Sequence, residues 1–150
     1  MKVFENSAIP KKYKGAAIAI GNFDGIHKGH QKIFKQAKTI VKKNKIKFGV
    51  LTFTPLPVMF FNKKIKNFRL ISEKFKFQLF KKHEVDFVIN IKFNRIFSKI
   101  TAEKFIKNII FKKINPRLIF VSANFKFGNK RKGNIYLLKN LERKYDYKLF

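Results

Sequence analysis

The chain has 150 residues, enough for one domain with a core, and its 45% hydrophobic content excludes a disordered polypeptide. It contains no cysteine, which excludes disulfides and thiolate metal sites. No apolar run approaches the ~20 residues that span a bilayer. The N-terminus also lacks the apolar block of a secretory signal, so we expect a cytoplasmic protein without a membrane partner.

The formal net charge of +28 admits two interpretations. Dense basic charge favours nucleic-acid binding, because cations displace counterions from a phosphate backbone. However, lysine dominates over arginine and is spread along the chain, and Lys, Phe, Ile and Asn all have A/T-rich codons. We therefore favour compositional bias and expect no specific nucleic-acid partner. A basic RNA-binding module stays a functional hypothesis, weaker than the two that are given below.

Four short apolar runs predict strands that are buried on both faces of a sheet. In chain order they are Ala16–Ile20, Phe48–Phe53, Asp86–Phe93 and Arg117–Val121. Residues 146–150 resemble the beginning of a further strand.

Amphipathic stretches between the strands predict helices. The first covers residues 28–43, the next two follow N-caps at Ser72 and Thr101, and the last covers about 133–144. Their predicted inward residues are Ile33, Phe34, Ala37, Ile40 and Val41; Phe75, Leu79 and Phe80; and Phe105, Ile106, Ile109 and Ile110. The alternation predicts one α/β domain over residues 1–150, an open, mostly parallel sheet with helices on both faces.

The segment 21–30, GNFDGIHKGH, holds three of the seven glycines and two of the three histidines. It joins the first predicted strand to the first helix, where open α/β sheets bind ligands. Glycines permit close backbone approach, and the free amides of a helix N-terminus favour phosphate. His27 and His30 share a helix face and can donate hydrogen bonds to phosphate oxygens. A metal site is less favoured, since no third ligand has matching spacing. His83 is predicted to be an ordinary surface residue.

The pattern G-x-F-D-G-x-H-x-G-H-Q at residues 21–31 resembles the N-terminal FMN adenylyltransferase domain of the bacterial bifunctional riboflavin kinase/FAD synthase family. The HxGH part alone is shared across a nucleotidyltransferase superfamily. Segments at residues 52–57, 76–86, 93–105 and 124–128 also resemble this family, in the same order. Together they cover nearly the whole chain.

The resemblance implies a Rossmann-like HxGH nucleotidyltransferase fold and an FAD synthase activity. Such an enzyme transfers AMP from ATP to FMN, giving FAD and pyrophosphate with the help of Mg²⁺. The implied catalytic residues are His27 and His30, and the implied ATP-binding residues are Gly21, Asn22, Phe23, Asp24 and Gly29. The implied flavin-binding residues are Phe61, Phe105 and Phe127, and Asn124 is implied near the metal and phosphates.

The sequence departs from the family at several positions. Leu56 replaces a histidine, which would remove a polar contact near the site, and Thr54 replaces a common acidic residue. Glu84 replaces a glycine suited to a left-handed helix end, at a cost of ~1 kcal/mol.

The chain stops before the family's I-S-S-T-x-x-R segment and its riboflavin kinase domain, so the resemblance implies a C-terminally truncated domain. Three explanations are a fragment, a degenerate gene product, or a site completed by a partner chain. The second functional hypothesis is therefore a catalytically inactive flavin- or nucleotide-binding remnant. No sequence pattern indicates an oligomeric state.

Overall fold

The computed structural model describes residues 1–62 and 71–150. In these residues, six strands form one parallel sheet with the spatial order β1-β4-β3-β2-β5-β8. The strands of this sheet are β1 (Lys2–Phe4), β2 (Ala17–Ile20), β3 (Phe48–Thr54), β4 (Phe87–Lys92), β5 (Leu118–Phe120) and β8 (Lys148–Leu149). Between β5 and β8, the strands β6 (Lys126–Phe127) and β7 (Gly133–Asn134) form a separate antiparallel pair. The predicted α/β class with a parallel sheet is confirmed.

Helices connect the strands. They are α1 (Lys28–Asn44), α2 (Pro57–Phe61), α3 (Glu73–Lys82), α4 (Arg95–Ser98), α5 (Ala102–Lys104) with a π-helical continuation (Phe105–Ile114), α6 (Ile135–Asn140) and α7 (Glu142–Tyr145). Short 3₁₀ turns cover Lys11–Tyr13 and Asn129–Arg131. None of the described helices is long and apolar enough to cross a membrane.

Strand β2 shows how helices come to cover both faces of the sheet. Ala17 and Ala19 point to the face covered by α1 and α3, where Phe34 packs. Ile18 and Ile20 point to the opposite face, where the π-helical segment packs. Because side chains alternate along a strand, a strand buried on both faces is apolar at every position. The predicted helices on both faces are confirmed.

The N-terminal helix boundaries follow the predicted caps. Ser72 Oγ accepts a hydrogen bond from the Phe75 amide at 3.2 Å, and Thr101 Oγ1 accepts one from the Lys104 amide at 3.2 Å. The prediction that Phe75 points inward is wrong, because its side chain is 47% exposed. Lys76 and Phe80, four residues apart, form the buried stripe of α3 instead.

The last predicted helix is also wrong in its extent. Gly133 belongs to β7, where it pairs with Phe127, and helix α6 begins only after Asn134. The Asn134 side chain accepts from the Leu137 amide at 3.0 Å and so fixes that start. The predicted strand near residue 148 is confirmed, since β8 pairs with β5 in parallel.

The end of α3 confirms the expected left-handed position. Glu84 has a φ of 58°, a conformation that favours glycine. Its exposed carboxylate forms ion pairs with Lys38 and, at 3.9 Å, with Lys42 on α1. Exposed pairs of this kind contribute little, so they offset only part of the backbone strain.

Candidate active site

A cavity of about 770 Å³ opens at the carboxyl ends of β2 and β5. Its walls come from the loop after β2, from helices α2 and α4, and from the segment after β5. Ten of the sequence-predicted site residues line it: Gly21, Asn22, Phe23, Asp24, His27, His30, Phe61, Phe105, Asn124 and Phe127. Residues that are far apart in sequence are therefore brought to one place, at the sheet edge where parallel α/β folds bind ligands.

The remaining predicted residue, Gly29, does not line the cavity. It lies exposed in the first turn of α1, and a Cβ added there would approach His27 Cε1 to 3.1 Å. Its missing side chain thus leaves room for the His27 ring. Contact of Gly29 with a nucleotide stays a prediction.

The loop between β2 and α1 is anchored by buried side chains in unusual backbone conformations. Phe23 and Ile26 have φ values of 50° and 35°, although both side chains are buried. The Phe23 ring packs in the core against Phe34 and Phe80, with centroids 5.2 and 5.8 Å away. Phe23 can therefore serve a ligand through its backbone, while its ring holds the loop in place.

The two histidines of the loop stack on each other. The rings of His27 and His30 have centroids 3.8 Å apart and an interplanar angle of 25°. His27 is exposed, whereas His30 is partly buried against the Phe23 ring, 4.9 Å away. Burial, and to a smaller extent the charge of His27, lower the pKa of His30 from 6.5 to about 4. His30 is thus neutral at pH 7.

One nitrogen of this pair has an unmet hydrogen bond. His30 Nδ1 is buried, and no atom of the described residues forms a hydrogen bond with it. Buried polar atoms are nearly always paired, so exceptions deserve an explanation. A ligand oxygen or water that reaches this nitrogen would provide the missing partner.

Another part of the cavity lining, called the aromatic wall below, consists of phenylalanines. Phe105 and Phe127 are buried, with ring centroids 5.5 Å apart, and Phe125 stacks on Phe127 at 5.3 Å. Phe61 is 68% exposed at the cavity mouth, and its ring lies 5.8 Å from Phe93. Stacked and edge-to-face rings of this kind suit a flat heteroaromatic ligand.

Sequence reasoning missed several lining residues. They are the aromatic residues Phe53, Phe93, Phe97 and Phe125 and the basic residues Lys126, Lys130 and Arg131. Five of them lie inside segments that carried the family resemblance, which was the available clue. In a chain with 20 phenylalanines and 36 basic residues, neither type marks a site by itself.

The departure at Leu56 lies beside the cavity. Leu56 is buried, and the next residues, Pro57 and Val58, provide the lining there. Thr54 donates a hydrogen bond to Asn90 Oδ1 at 2.9 Å, so it belongs to a polar cluster near the end of β3. The leucine is thus accommodated as a core residue.

The oxygen atoms at the cavity fit a magnesium ion carried by a substrate. In the described part of the chain, no group of three or more His, Cys, Asp or Glu residues could hold a metal ion by itself. Asp24 and Asn124 both line the cavity, and Asn124 Oδ1 accepts from Ser122 Oγ at 2.8 Å. Mg²⁺ commonly uses one or two such oxygens together with substrate phosphates and water.

Solved structures resemble this fold. A macrolide-efflux protein from Streptococcus pneumoniae matches with a TM-score of 0.81 and 24% identity, covering 99% of this chain and 49% of that chain. A pantoate-beta-alanine ligase from Francisella tularensis matches with a TM-score of 0.55 and 15% identity, covering 100% of this chain and 66% of that chain. At these identities the likeness establishes the fold alone.

Sequence comparison identifies the family. The chain is 41% identical over 141 residues to a bifunctional riboflavin kinase/FMN adenylyltransferase of Buchnera aphidicola subsp. Schizaphis graminum, covering 94% of this chain and 45% of that protein. It is 32% identical to an FAD synthetase of Listeria monocytogenes, covering 97% of this chain and 59% of that protein. The chain therefore spans about half the length of these relatives. The FAD synthetase family model matches residues 9–150. The chain belongs to the FAD synthetase family.

Proposed function

We propose that this chain is an FMN adenylyltransferase that makes FAD and pyrophosphate from FMN and ATP. The observation that carries the proposal is that one cavity is lined both by the loop between β2 and α1, which holds His27, and by the aromatic wall. The relatives named FMN adenylyltransferase and FAD synthetase support it. We also propose that residues 1–150 act as one domain, because strands from both ends of the chain share the sheet.

In the proposed reaction, an FMN phosphate oxygen attacks the α-phosphorus of ATP, and the bond to pyrophosphate breaks. The new bond to the α-phosphorus replaces the bond to the bridging oxygen, and pyrophosphate leaves with that oxygen and the electron pair, so a direct displacement requires no covalent enzyme intermediate. The protein's task is to align the two phosphates and to stabilise the charge that develops. Stacking of the flavin on the aromatic wall would hold the FMN phosphate near the loop.

The chain's own residues divide this task. The amino end of α1 favours anions through its free amides and dipole. His27, at the N-cap of α1, and His30 would donate hydrogen bonds to phosphate oxygens. Lys126, Lys130 and Arg131 also line the cavity and add positive charge that would favour the pyrophosphate group.

Mg²⁺ would be held by Asp24 and Asn124 together with the phosphates. When bound, it would neutralise phosphate charge as a Lewis acid. Asn124 is already oriented by its hydrogen bond with Ser122.

The test is FAD formation by the purified chain with FMN, ATP and Mg²⁺, followed by chromatography. We expect H27N and H30N to lower the rate by about 100-fold or more, since each removes a hydrogen-bond donor used in the transition state. H83N is the matched control, because His83 lies outside the cavity and packs against Phe34. Equal rates in all three variants would refute the assigned roles.

Calorimetric titrations with FMN and ATP would separate binding from turnover. Binding of both ligands without FAD formation would identify a binding protein that lacks the activity. Neither binding nor turnover by folded protein would refute the proposal as a whole.

A further inference from the structure

A buried lysine is connected by hydrogen bonds to the loop between β2 and α1. Lys76, on α3, is only 5% exposed, although ammonium groups are rarely buried without polar partners. Its Nζ donates to Thr52 Oγ1 at 3.2 Å, and Thr52 is fully buried in β3. The Thr52 hydroxyl in turn donates to the carbonyl oxygen of Asn22 at 3.1 Å. Two hydrogen bonds thus connect α3 with the loop.

The chemistry of the three groups fixes which group donates and which accepts in these two hydrogen bonds. An ammonium can only donate and a carbonyl can only accept, so the hydroxyl must accept from Lys76 and donate to Asn22. The positive charge polarises the hydroxyl, which strengthens its hydrogen bond to the carbonyl.

The consequence for the loop comes from peptide geometry. In a trans peptide, the carbonyl and the following N–H point in opposite directions. Holding the Asn22 carbonyl against Thr52 therefore directs the Phe23 amide away from Thr52. That amide takes part in no hydrogen bond among residues 1–62 and 71–150. Phe23 has a φ of 50°, which is costly for a bulky residue, so its peptide needs such support.

We infer that Lys76 is a positioning residue of the nucleotide site. Through Thr52, it fixes the peptide between Asn22 and Phe23 so that the Phe23 amide is presented to a phosphate of ATP. The inference rests on the proposed function, because that function supplies the phosphate. It extends the site to a helix that contributes no residue to the described cavity lining.

The test compares variants that remove the ammonium or the hydroxyl with little change in shape. K76M removes the charge and T52V removes the hydroxyl, whereas T52S keeps a hydroxyl at position 52. K74M is the matched control, because Lys74 is exposed on the same helix and loses the same charge. Two measurements apply to each: calorimetric affinity for ATP and for FMN, and the ¹H–¹⁵N resonances of Phe23 and Asp24 without ligand.

K76M and T52V are each expected to bind ATP about tenfold more weakly, as for loss of a hydrogen bond to a charged group. Their FMN affinity should be unchanged, and the Phe23 resonance should shift even without ligand. T52S and K74M should behave as wild type. A double variant should lose little more than K76M, because the two residues act in series.

Two results would overturn the inference. The first is a folded K76M with unchanged ATP affinity and an unshifted Phe23 resonance; wild-type FAD formation would then leave the proposed function standing. The second is a wild-type protein that binds no ATP, which would overturn both. If K76M does not fold, T52V decides the question by the same criteria.

Discussion

The rings of His27 and His30 stack with their centroids 3.8 Å apart. Two imidazoles this close cannot both carry a proton without repulsion, and the inner one is also desolvated. Burial, and to a smaller extent repulsion from His27, lower the pKa of His30 to about 4, so this ring is neutral at pH 7. The pair therefore places an exposed ring and a partly buried, neutral ring side by side in the cavity lining.

The first prediction concerns the titration of His30. Its pKa is lowered to about 4, so its ring protons should titrate near that value in an NMR experiment. Addition of ATP should raise this pKa, because phosphate charge stabilises the protonated ring. H27N should raise it modestly, since the repulsive charge is removed. A titration near 6.5 in the free protein would contradict the burial seen here.

The same shift predicts how stability depends on pH. The unfolded chain binds a proton at His30 near pH 6.5, whereas the folded chain does so only near pH 4. Stability should therefore fall as the pH drops from 6.5 to 4, and H30Q should flatten this part of the curve. Urea unfolding at a series of pH values measures it. An identical slope in H30Q would exclude His30 as a cause.

Two phenylalanines of the aromatic wall should separate binding from stability. Phe61 is 68% exposed, so F61A should leave the unfolding free energy almost unchanged and raise the KM for FMN. Phe127 is buried against Phe105 and Phe125, so F127A should cost about 3 kcal/mol or more. Urea unfolding and steady-state kinetics on both variants check this. A large stability loss in F61A would be inconsistent with its exposure.

Substitutions at Glu84 measure how much stability a left-handed backbone conformation costs. Both E84A and E84G remove the ion pairs with Lys38 and Lys42, but only glycine relieves the φ of 58°. We expect E84G to be more stable than E84A by about 1 kcal/mol. Chemical denaturation of the two variants gives this difference directly. Equal stabilities would show that the position carries no backbone strain.

The substitution G128A tests how closely the backbone is packed at the cavity wall. It has a φ of 73°, and a Cβ there would lie 2.6 Å from the backbone nitrogen of Ala102. Since backbone cannot move aside as a side chain does, G128A should cost about 1–3 kcal/mol. It should also displace the neighbouring Phe127 and weaken FMN binding. Denaturation and FMN titration of G128A measure the two effects, and a fully stable variant would contradict this geometry.

Local sequence patterns determined much of this protein. Apolar runs located four strands, and Ser72 and Thr101 marked helix starts, because these features depend on neighbours along the chain. The glycines and histidines of residues 21–30 indicated a phosphate site for the same reason, because the turn, the helix start and the spacing of the histidines are all local. The structure places His27 at the N-cap of α1 and not on a helix face with His30. The order of motifs then indicated the family.

Tertiary structure decided what depends on residues distant in sequence. The two-residue strands β6 and β7 form because Lys126–Phe127 pairs with Gly133–Asn134. A segment of two residues is too short to carry a pattern that predicts this pairing. Which of 20 phenylalanines line the cavity depends on where the strands end. The burial of Lys76 was also invisible in the sequence, because a lysine in a lysine-rich helix indicates a solvated face. Only the packing of α3 on β3 places it under the loop that holds Asn22.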